Sequence, residues 1–184
     1  MDQQKLNALK RITQEYKELN KNPNVCFGIT VGLEDEENMF IWRCTIFGPK
    51  DSCYKDGLFH LKIIFPYDYP LSRPEVIFLT PIYHLNVKFY VGDNEPLGHV
   101  CMSTLNDWKP GDSIKKILNE LFTLLQQNNS VSAYDYRETY QRSNEFKNNR
   151  ALFEKKAQYF TQKYANFFAP VKEYKTTWDF TYNP

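Results

Sequence analysis

The chain has 184 residues, with 23 basic and 22 acidic side chains and a formal net charge of +1. This balance argues against a strongly charged chain that coats nucleic acid, and the 14 Phe, 13 Tyr and 3 Trp residues supply apolar surface for one folded domain. No apolar run reaches membrane-spanning length, and the first twenty residues lack a signal-peptide pattern. We therefore expect a cytoplasmic and/or nuclear protein that has no nucleic acid and no membrane among its partners.

The first half of the chain predicts a helix followed by strands. Apolar residues recur at helical spacing between charged residues until Asn22-Pro23, at Leu6, Leu9, Ile12, Tyr16 and Leu19. Apolar residues then alternate with a period of two, which predicts strands over 25–31, 40–46, 59–65 and 75–79. The connections between these runs are short and rich in turn-forming residues. They favour an antiparallel meander.

The second half predicts a long connection followed by helices. Residues 81–111 show no sustained period, and a connection of this length is usually functional or disordered. Asp112 or Ser113 can cap a helix over 114–125, which has a broad apolar face. Aromatic residues between 146 and 164 predict further helix before Pro170. The elements together predict an α+β domain.

Cysteine and histidine positions argue against a metal site and single out one thiol. The four cysteines form no C-x-x-C pair and the three histidines lack zinc-finger spacing, so we expect reduced thiols and no metal. Cys101 alone lies in the long loop, just before the helix over 114–125. It is a candidate nucleophile if partly exposed, whereas the alternative is a small buried core residue.

Asn86 precedes Cys101 in the same loop. A carboxamide beside a cysteine can donate a hydrogen bond to the oxyanion that forms when a thioester is attacked. The alternative is that Asn86 caps a turn.

An ordered set of motifs resembles the ubiquitin-conjugating enzymes from Lys10 to about Ala165. The motifs are Ala8-Leu9-Lys10-Arg11-Ile12, Gly48-Pro49, Phe65-Pro66-Tyr67-Asp68-Tyr69-Pro70, Tyr83-His84-Leu85-Asn86, Gly98-x-Val100-Cys101 and Trp108-Lys109-Pro110. The resemblance implies the fold of that family, with an N-terminal helix, a four-stranded antiparallel sheet, a central helix and C-terminal helices. It divides the chain into a core domain over 1–165 and an aromatic C-terminal extension over 166–184.

The resemblance also implies a mechanism. Cys101 would accept ubiquitin from an activating enzyme as a thioester and give it to a lysine or a ligase. Asn86 would support the oxyanion or its loop, and His84 would hold that loop by hydrogen bonding. Ser132 or Asp135 would orient the incoming lysine. No cofactor is needed, since the activating enzyme consumes the ATP.

The resemblance implies docking surfaces for ubiquitin or a related modifier, the activating enzyme, a ligase and substrate lysines. Residues of the first helix, Lys10 and Arg11, would meet the activating enzyme. Two loops would meet ligases, through Leu71, Trp108, Lys109 and Pro110. Four apolar residues are expected on the outer sheet face, at Phe27, Ile29, Ile41 and Ile64. We also expect the aromatic extension to cover apolar surface of its own or a neighbouring chain.

Two departures from the family bear on catalysis. Leu85 stands where the family usually has proline, which frees a backbone torsion and predicts a less rigid loop. The segment from Asn86 to Cys101 is longer than usual, with 88–96 as the insertion, and this length predicts that Asn86 can move away from the thiol.

Three alternatives remain open from the sequence. Residues 107–110 and 148–154 also resemble conjugating enzymes for other ubiquitin-like modifiers. Leu85 and the long loop are compatible with a catalytically weak binding module of the same fold. A cysteine hydrolase would need His84 or His99 as a base beside Cys101.

Overall fold

The computed structural model describes residues 2–21, 28–88, 97–127, 137–167 and 178–183. Its elements follow in chain order: α1 (Gln3–Lys21), β1 (Ile29–Leu33), β2 (Ile41–Phe47), β3 (Leu58–Ile64), β4 (Glu75–Phe78), α2 (Ser103–Asn106), α3 (Ile114–Gln127), α4 (Arg137–Asn148) and α5 (Arg150–Tyr164). The strands form one antiparallel sheet in the order β1-β2-β3-β4, which confirms the predicted meander.

The core lies between the inner face of the sheet and the helices. Residues of β2 and β3 alternate between buried and half-buried because successive side chains of a strand point to opposite faces. Trp42 and Ile63 are cross-strand partners and both are fully buried. The central helix α3 contributes the apolar face that its periodicity predicts, through Ile114, Ile117, Leu118, Leu121, Leu124 and Leu125.

The placement of Ile29 on the outer sheet face is wrong. Ile29 pairs with Ile46, and the two directly opposed residues of an antiparallel pair point to the same face. Ile46 is fully buried on the helix-packed side, and Ile29 itself is only 8% exposed. A register that differs by one residue exchanges the two faces of a strand, and the spacing of β1 alone does not set that register.

The outer sheet face is more polar than the sequence predicts. Ile41 and Ile64 are half-buried partners on it, as expected. The neighbouring pair is charged, because Arg43 and Lys62 both bind Glu34, at 3.0 and 3.2 Å. Phe27, the remaining member of the predicted set, lies outside the described residues.

The helical pattern after residue 137 forms two helices, and Asn149 separates them. Its side chain accepts a hydrogen bond from the backbone N–H of Leu152 and caps α5. None of the helices in the described part of the chain combines the length and apolar character needed to cross a membrane.

The aromatic extension packs on α5 of its own chain. Trp178 is only 4% exposed, and Phe180 and Tyr182 lie against Phe160 at ring-centroid distances of 4.8 and 6.5 Å. The hydroxyl of Tyr164 donates to the carbonyl of Asp179. Phe167 is exposed, and Phe168 and Tyr174 lie outside the described residues.

A buried carboxylate joins α1, the loop after β3 and α3. Glu15 is 6% exposed, and its Oε1 accepts hydrogen bonds from the Tyr69 hydroxyl at 2.7 Å and from Arg11 Nε at 2.6 Å. Its Oε2 accepts from the backbone N–H of Ile114, the first residue of α3, at 2.7 Å. A negative charge at a helix N-terminus is favourable. Glu15 therefore fixes where the central helix begins.

We expect Glu15→Ala to lower the free energy of unfolding by about 2–4 kcal/mol, because it leaves the Tyr69 hydroxyl and the Ile114 N–H buried without an acceptor. Urea denaturation measures the change. The matched control is Glu18→Ala on the same helix, where an exposed carboxylate accepts from Gln14; its cost should stay below about 0.5 kcal/mol. Equal costs for the two variants would contradict this role of Glu15.

Candidate functional site

The segment that ends at Cys101 lies between β4 and the residues that follow Asn86. On one side, the N–H of Phe78 donates to the carbonyl of Gly98 and the N–H of Val100 donates to the carbonyl of Val76. Gly98 has φ +82°, and a Cβ there would meet the carbonyl oxygen of Phe78 at 2.1 Å. Only glycine satisfies both requirements, so Gly98 allows the close approach that brings Cys101 to the sheet.

The residues that flank the insertion before Cys101 are hydrogen-bonded to each other. The N–H of Lys88 donates to the carbonyl of His99 at 3.0 Å, and the N–H of Gly98 donates back to Lys88 at 2.7 Å. Val87 and Val100 form a bridge next to this pair. The expectation that the insertion moves Asn86 away from the thiol is therefore wrong, since Lys88 pairs with Gly98 and His99 and Asn86 contacts Cys101 directly.

Asn86 and Cys101 hold each other through reciprocal hydrogen bonds. The backbone N–H of Cys101 donates to the Asn86 carbonyl at 2.8 Å. The Asn86 side chain donates from Nδ2 to the Cys101 carbonyl at 3.0 Å. Asn86 is fully buried, and its Oδ1 has no hydrogen-bond partner within the described part of the chain. In this resting geometry the carboxamide shapes the backbone at the thiol.

His84 holds the same loop as a neutral ring. Its Nδ1 accepts from the backbone N–H of Asn86 at 3.0 Å, so the ring proton sits on Nε2, which lies 3.1 Å from the carbonyl of Leu124 and donates to it. Burial lowers the pKa of His84 to about 4, although the hydrogen bond to Leu124 opposes the change. Both nitrogens are occupied by the backbone, which leaves no lone pair to act as a base on Cys101.

Leu85 lies in a loop that is hydrogen-bonded to the rest of the chain although the proline is missing. The side chain is fully buried in the core. On its N-terminal side, the Tyr54 hydroxyl donates to the Tyr83 carbonyl at 2.9 Å and Arg142 donates to the His84 carbonyl at 3.0 Å. These bonds restrain the backbone where the family usually relies on a proline ring.

The Cys101 side chain is partly exposed and reduced. It therefore differs from the alternative interpretation of Cys101 as a small core residue. Asn106 Nδ2 lies 3.6 Å from its Sγ, which is within reach of a weak hydrogen bond to sulfur. Asn106 belongs to α2, whose first N–H groups, those of Ser103 and Thr104, donate to the Glu120 carboxylate. Nothing in the sequence pattern indicates that Asn106 reaches the thiol.

The predicted docking residues differ in how much surface they offer. Lys10 is exposed, whereas the guanidinium of Arg11 is bound to Glu15 and to the Asp112 carbonyl, with about one third of its side chain, 35%, still accessible. Leu71 is 66% exposed.

The second predicted ligase loop lies beside the first. Trp108 Nε1 donates to the Pro70 carbonyl at 2.9 Å, and its ring packs on Tyr69. This contact places the exposed Lys109 and Pro110 near Leu71's loop. Ser132 and Asp135, predicted to orient a lysine, lie outside the described residues. In the part of the chain that the structure describes, no cluster of His, Cys, Asp and Glu is able to hold a metal ion.

Comparisons with known proteins agree with the fold. The family model of ubiquitin-conjugating enzymes matches residues 11–161. The chain belongs to the ubiquitin-conjugating enzyme family, whose members are transferases that form a thioester intermediate.

Two relatives with known names resemble this chain over most of its length. The human ubiquitin-conjugating enzyme E2 G2 is 37% identical over 139 residues, which are 68% of this chain and 79% of that protein. The Schizosaccharomyces pombe ubiquitin-conjugating enzyme E2 14 is 34% identical over 158 residues, which are 85% of this chain and 93% of that protein. Both names specify ubiquitin, so the modifier of the relatives is the one expected from the motifs.

We expect the protein to lose stability between pH 6.5 and about pH 4 because of His84. The unfolded chain takes up a proton at the ordinary histidine pKa of 6.5, whereas the folded chain takes it up only near 4. The cost is roughly 3 kcal/mol at about 1.4 kcal/mol per pKa unit, and it does not grow below pH 4. Urea denaturation at several pH values measures the loss.

His84→Asn should remove most of this pH dependence, because an Asn side chain can accept the Asn86 N–H without titrating. His60→Gln is the matched control: its ring is half-buried on the outer sheet face, and the larger part of the pH dependence should remain. An unchanged pH profile in His84→Asn would contradict a buried neutral His84.

Proposed function

We propose that Cys101 is the residue on which this ubiquitin-conjugating enzyme carries ubiquitin as a thioester, before transfer to a lysine or to a ligase. One observation supports this assignment above the others. The thiol is partly exposed while the backbone on both sides of it is fixed by Asn86, β4 and the closed pair at Lys88. A nucleophile held in place and accessible from outside suits attack on a large acyl donor.

The chemistry requires two acyl transfers. The Cys101 thiolate attacks the thioester carbonyl on the activating enzyme, and the tetrahedral intermediate collapses as the activating enzyme's thiolate leaves. In the second transfer a lysine amine attacks the Cys101 thioester, the amine loses a proton and the Cys101 thiolate is released. Where a ligase cysteine accepts ubiquitin, its thiolate replaces the amine. No redox partner is needed.

Asn86 supports the second transfer in two ways, through the backbone that it holds at rest and through its carboxamide as a donor to the oxyanion. Its Nδ2 is 3.0 Å from the Cys101 carbonyl, and its Oδ1 is buried without a partner within the described ranges. A buried carboxamide with an unused oxygen has little to hold it except the one bond from Nδ2. Rotation about its side-chain bonds would turn the Nδ2 donor from the carbonyl toward an oxyanion at the thioester.

The partners follow from the family, whose members act with ubiquitin, an activating enzyme and ligases. We assign the activating enzyme to the α1 face at Lys10 and Arg11, and ligases to the loops at Leu71 and Trp108–Pro110. The exposed Lys10, Leu71, Lys109 and Pro110 support these surfaces. A thiol that must stay reduced to be charged fits a protein of the cytoplasm and/or nucleus.

We expect Cys101→Ala to abolish charging and Cys101→Ser to form an adduct that resists thiol reductants. A serine hydroxyl gives an oxygen ester, which thiols do not cleave readily, whereas the wild-type thioester is cleaved. Incubation with activating enzyme, ATP and ubiquitin, followed by gels with and without reductant, measures both. Cys53→Ala, which removes another thiol, is the control and should charge normally. A reductant-sensitive adduct on Cys101→Ala would contradict the assignment.

We expect Asn86→Ala to slow discharge of ubiquitin onto free lysine by about 10²- to 10³-fold if its amide reaches the oxyanion. Charging by the activating enzyme is measured alongside, so that a loss confined to discharge is separated from a thiol that no longer reacts. Single-turnover discharge from pre-charged protein measures the rate. Asn106→Ala, which removes the weak side-chain contact to Sγ, is the control. Wild-type discharge by Asn86→Ala would exclude a role for the carboxamide in transfer.

A further inference from the structure

A buried arginine links the aromatic extension to the loop that carries Asn86. Arg142 lies on α4 and is only 2% exposed, although α4 is a strongly polar helix. Its Nη1 donates to the backbone carbonyl of His84 at 3.0 Å. The ring of His84 accepts the N–H of Asn86. The two bonds therefore hold His84 at its carbonyl and at its side chain.

The guanidinium contacts two aromatic rings that come from different parts of the chain and that also touch each other, with centroids 5.6 Å apart. Its Cζ is 4.4 Å from the centroid of Tyr83, next to His84, and 4.7 Å from the centroid of Phe180 in the extension. An arginine placed over aromatic rings gains cation–π energy that grows as water is removed. Both the charge and the planar shape of the guanidinium are used here, and a lysine supplies only the charge.

Phe180 is itself held in place. It packs on Phe160 at 4.8 Å and on Trp178 at 6.1 Å, and the preceding Asp179 binds Lys163 at 3.3 Å. The ring that covers Arg142 therefore rests on α5 through neighbours on both sides. Tyr182 contacts the same helix, through Tyr159 and Phe160. It is a matched control position because it is an aromatic residue of the same extension, whereas the cation–π contact with Arg142 described above is made by Phe180.

We propose that Arg142 is a positioning residue for transfer from Cys101, and that residues 178–183 contribute to catalysis by supplying Phe180 to its guanidinium. The bonds run from Phe180 through Arg142 to the His84 carbonyl, from His84 to Asn86 and from Asn86 to Cys101. A small displacement of a group that stabilises the transition state is enough to slow a reaction. The proposal rests on the proposed function of Cys101 and adds a role for α4 and the extension.

The test is single-turnover discharge of charged, full-length protein onto free lysine at a series of lysine concentrations. For Arg142→Met, which keeps the length of the side chain but not the donor, we expect the rate at saturating lysine to fall about tenfold. The lysine concentration at half saturation should not change, because Arg142 does not touch the nucleophile. Arg142→Lys should recover part of the rate, since it restores a donor to the His84 carbonyl.

Phe180→Leu should lower the saturating rate about threefold, since it removes the cation–π face and keeps an apolar side chain. Tyr182→Leu should discharge at the wild-type rate. Melting temperatures are recorded for each chain, and discharge is assayed well below the lowest of them. If Arg142→Met does not fold, Phe180→Leu compared with Tyr182→Leu decides the question.

Wild-type discharge by folded Arg142→Met or Phe180→Leu would overturn the positioning role and leave the thioester assignment intact. Equal losses in Phe180→Leu and Tyr182→Leu would also overturn it, because the extension would then act through stability alone. Failure of the wild-type chain to form any reductant-sensitive adduct would instead overturn the assignment of Cys101 on which this proposal rests.

Discussion

The reciprocal hydrogen bonds between Asn86 and Cys101 are the constraint on which the rest of the site depends. The backbone of Asn86 accepts from Cys101, and its carboxamide donates to the Cys101 carbonyl. Two separate chain segments are thereby held as one unit, whatever lies between them. In the proposed reaction, a nucleophile that is already oriented loses less entropy when it meets its acyl donor.

The surroundings of this pair are arranged to hold the backbone. His84 is kept neutral by burial and uses both ring nitrogens on backbone groups, and Arg142 holds the carbonyl of the same residue. Gly98 brings the other segment against β4 without a clash. The family position usually taken by proline is filled here by a buried Leu85, with hydrogen bonds in the place of ring rigidity. The backbone at this site is therefore held by a network of hydrogen bonds.

The sequence predicted the features that depend on periodicity. The α+β order and the apolar face of α3 were predicted from spacing, and the antiparallel sheet from the short connections between strands. The loop position of Cys101 distinguished it from the other thiols. Ile29 was assigned to the wrong face because strand register depends on pairing across the sheet. The helix break at Asn149 was missed, although an asparagine cap is its signal.

Two buried charged residues show more clearly what a sequence pattern can and cannot predict. Glu15 lies at helical spacing from Ile12 and Leu19, on the apolar stripe of α1, so its burial was detectable. Arg142 gives no such signal, because α4 has few apolar residues, and its burial depends on Tyr83 and Phe180, which are distant in the chain. Contacts that unite remote segments around one polar group cannot be derived from local patterns.

Native-state hydrogen exchange at the Cys101 amide tests the preorganised site most directly, because that N–H donates to the Asn86 carbonyl. Measured by NMR on the uncharged protein, its protection should match that of amides in the middle of β3, which exchange only when the sheet opens. Exchange as fast as in the exposed turn residues Asp35 and Glu36 would show that the thiol-bearing backbone opens on its own, and would contradict the fixed frame proposed for Cys101.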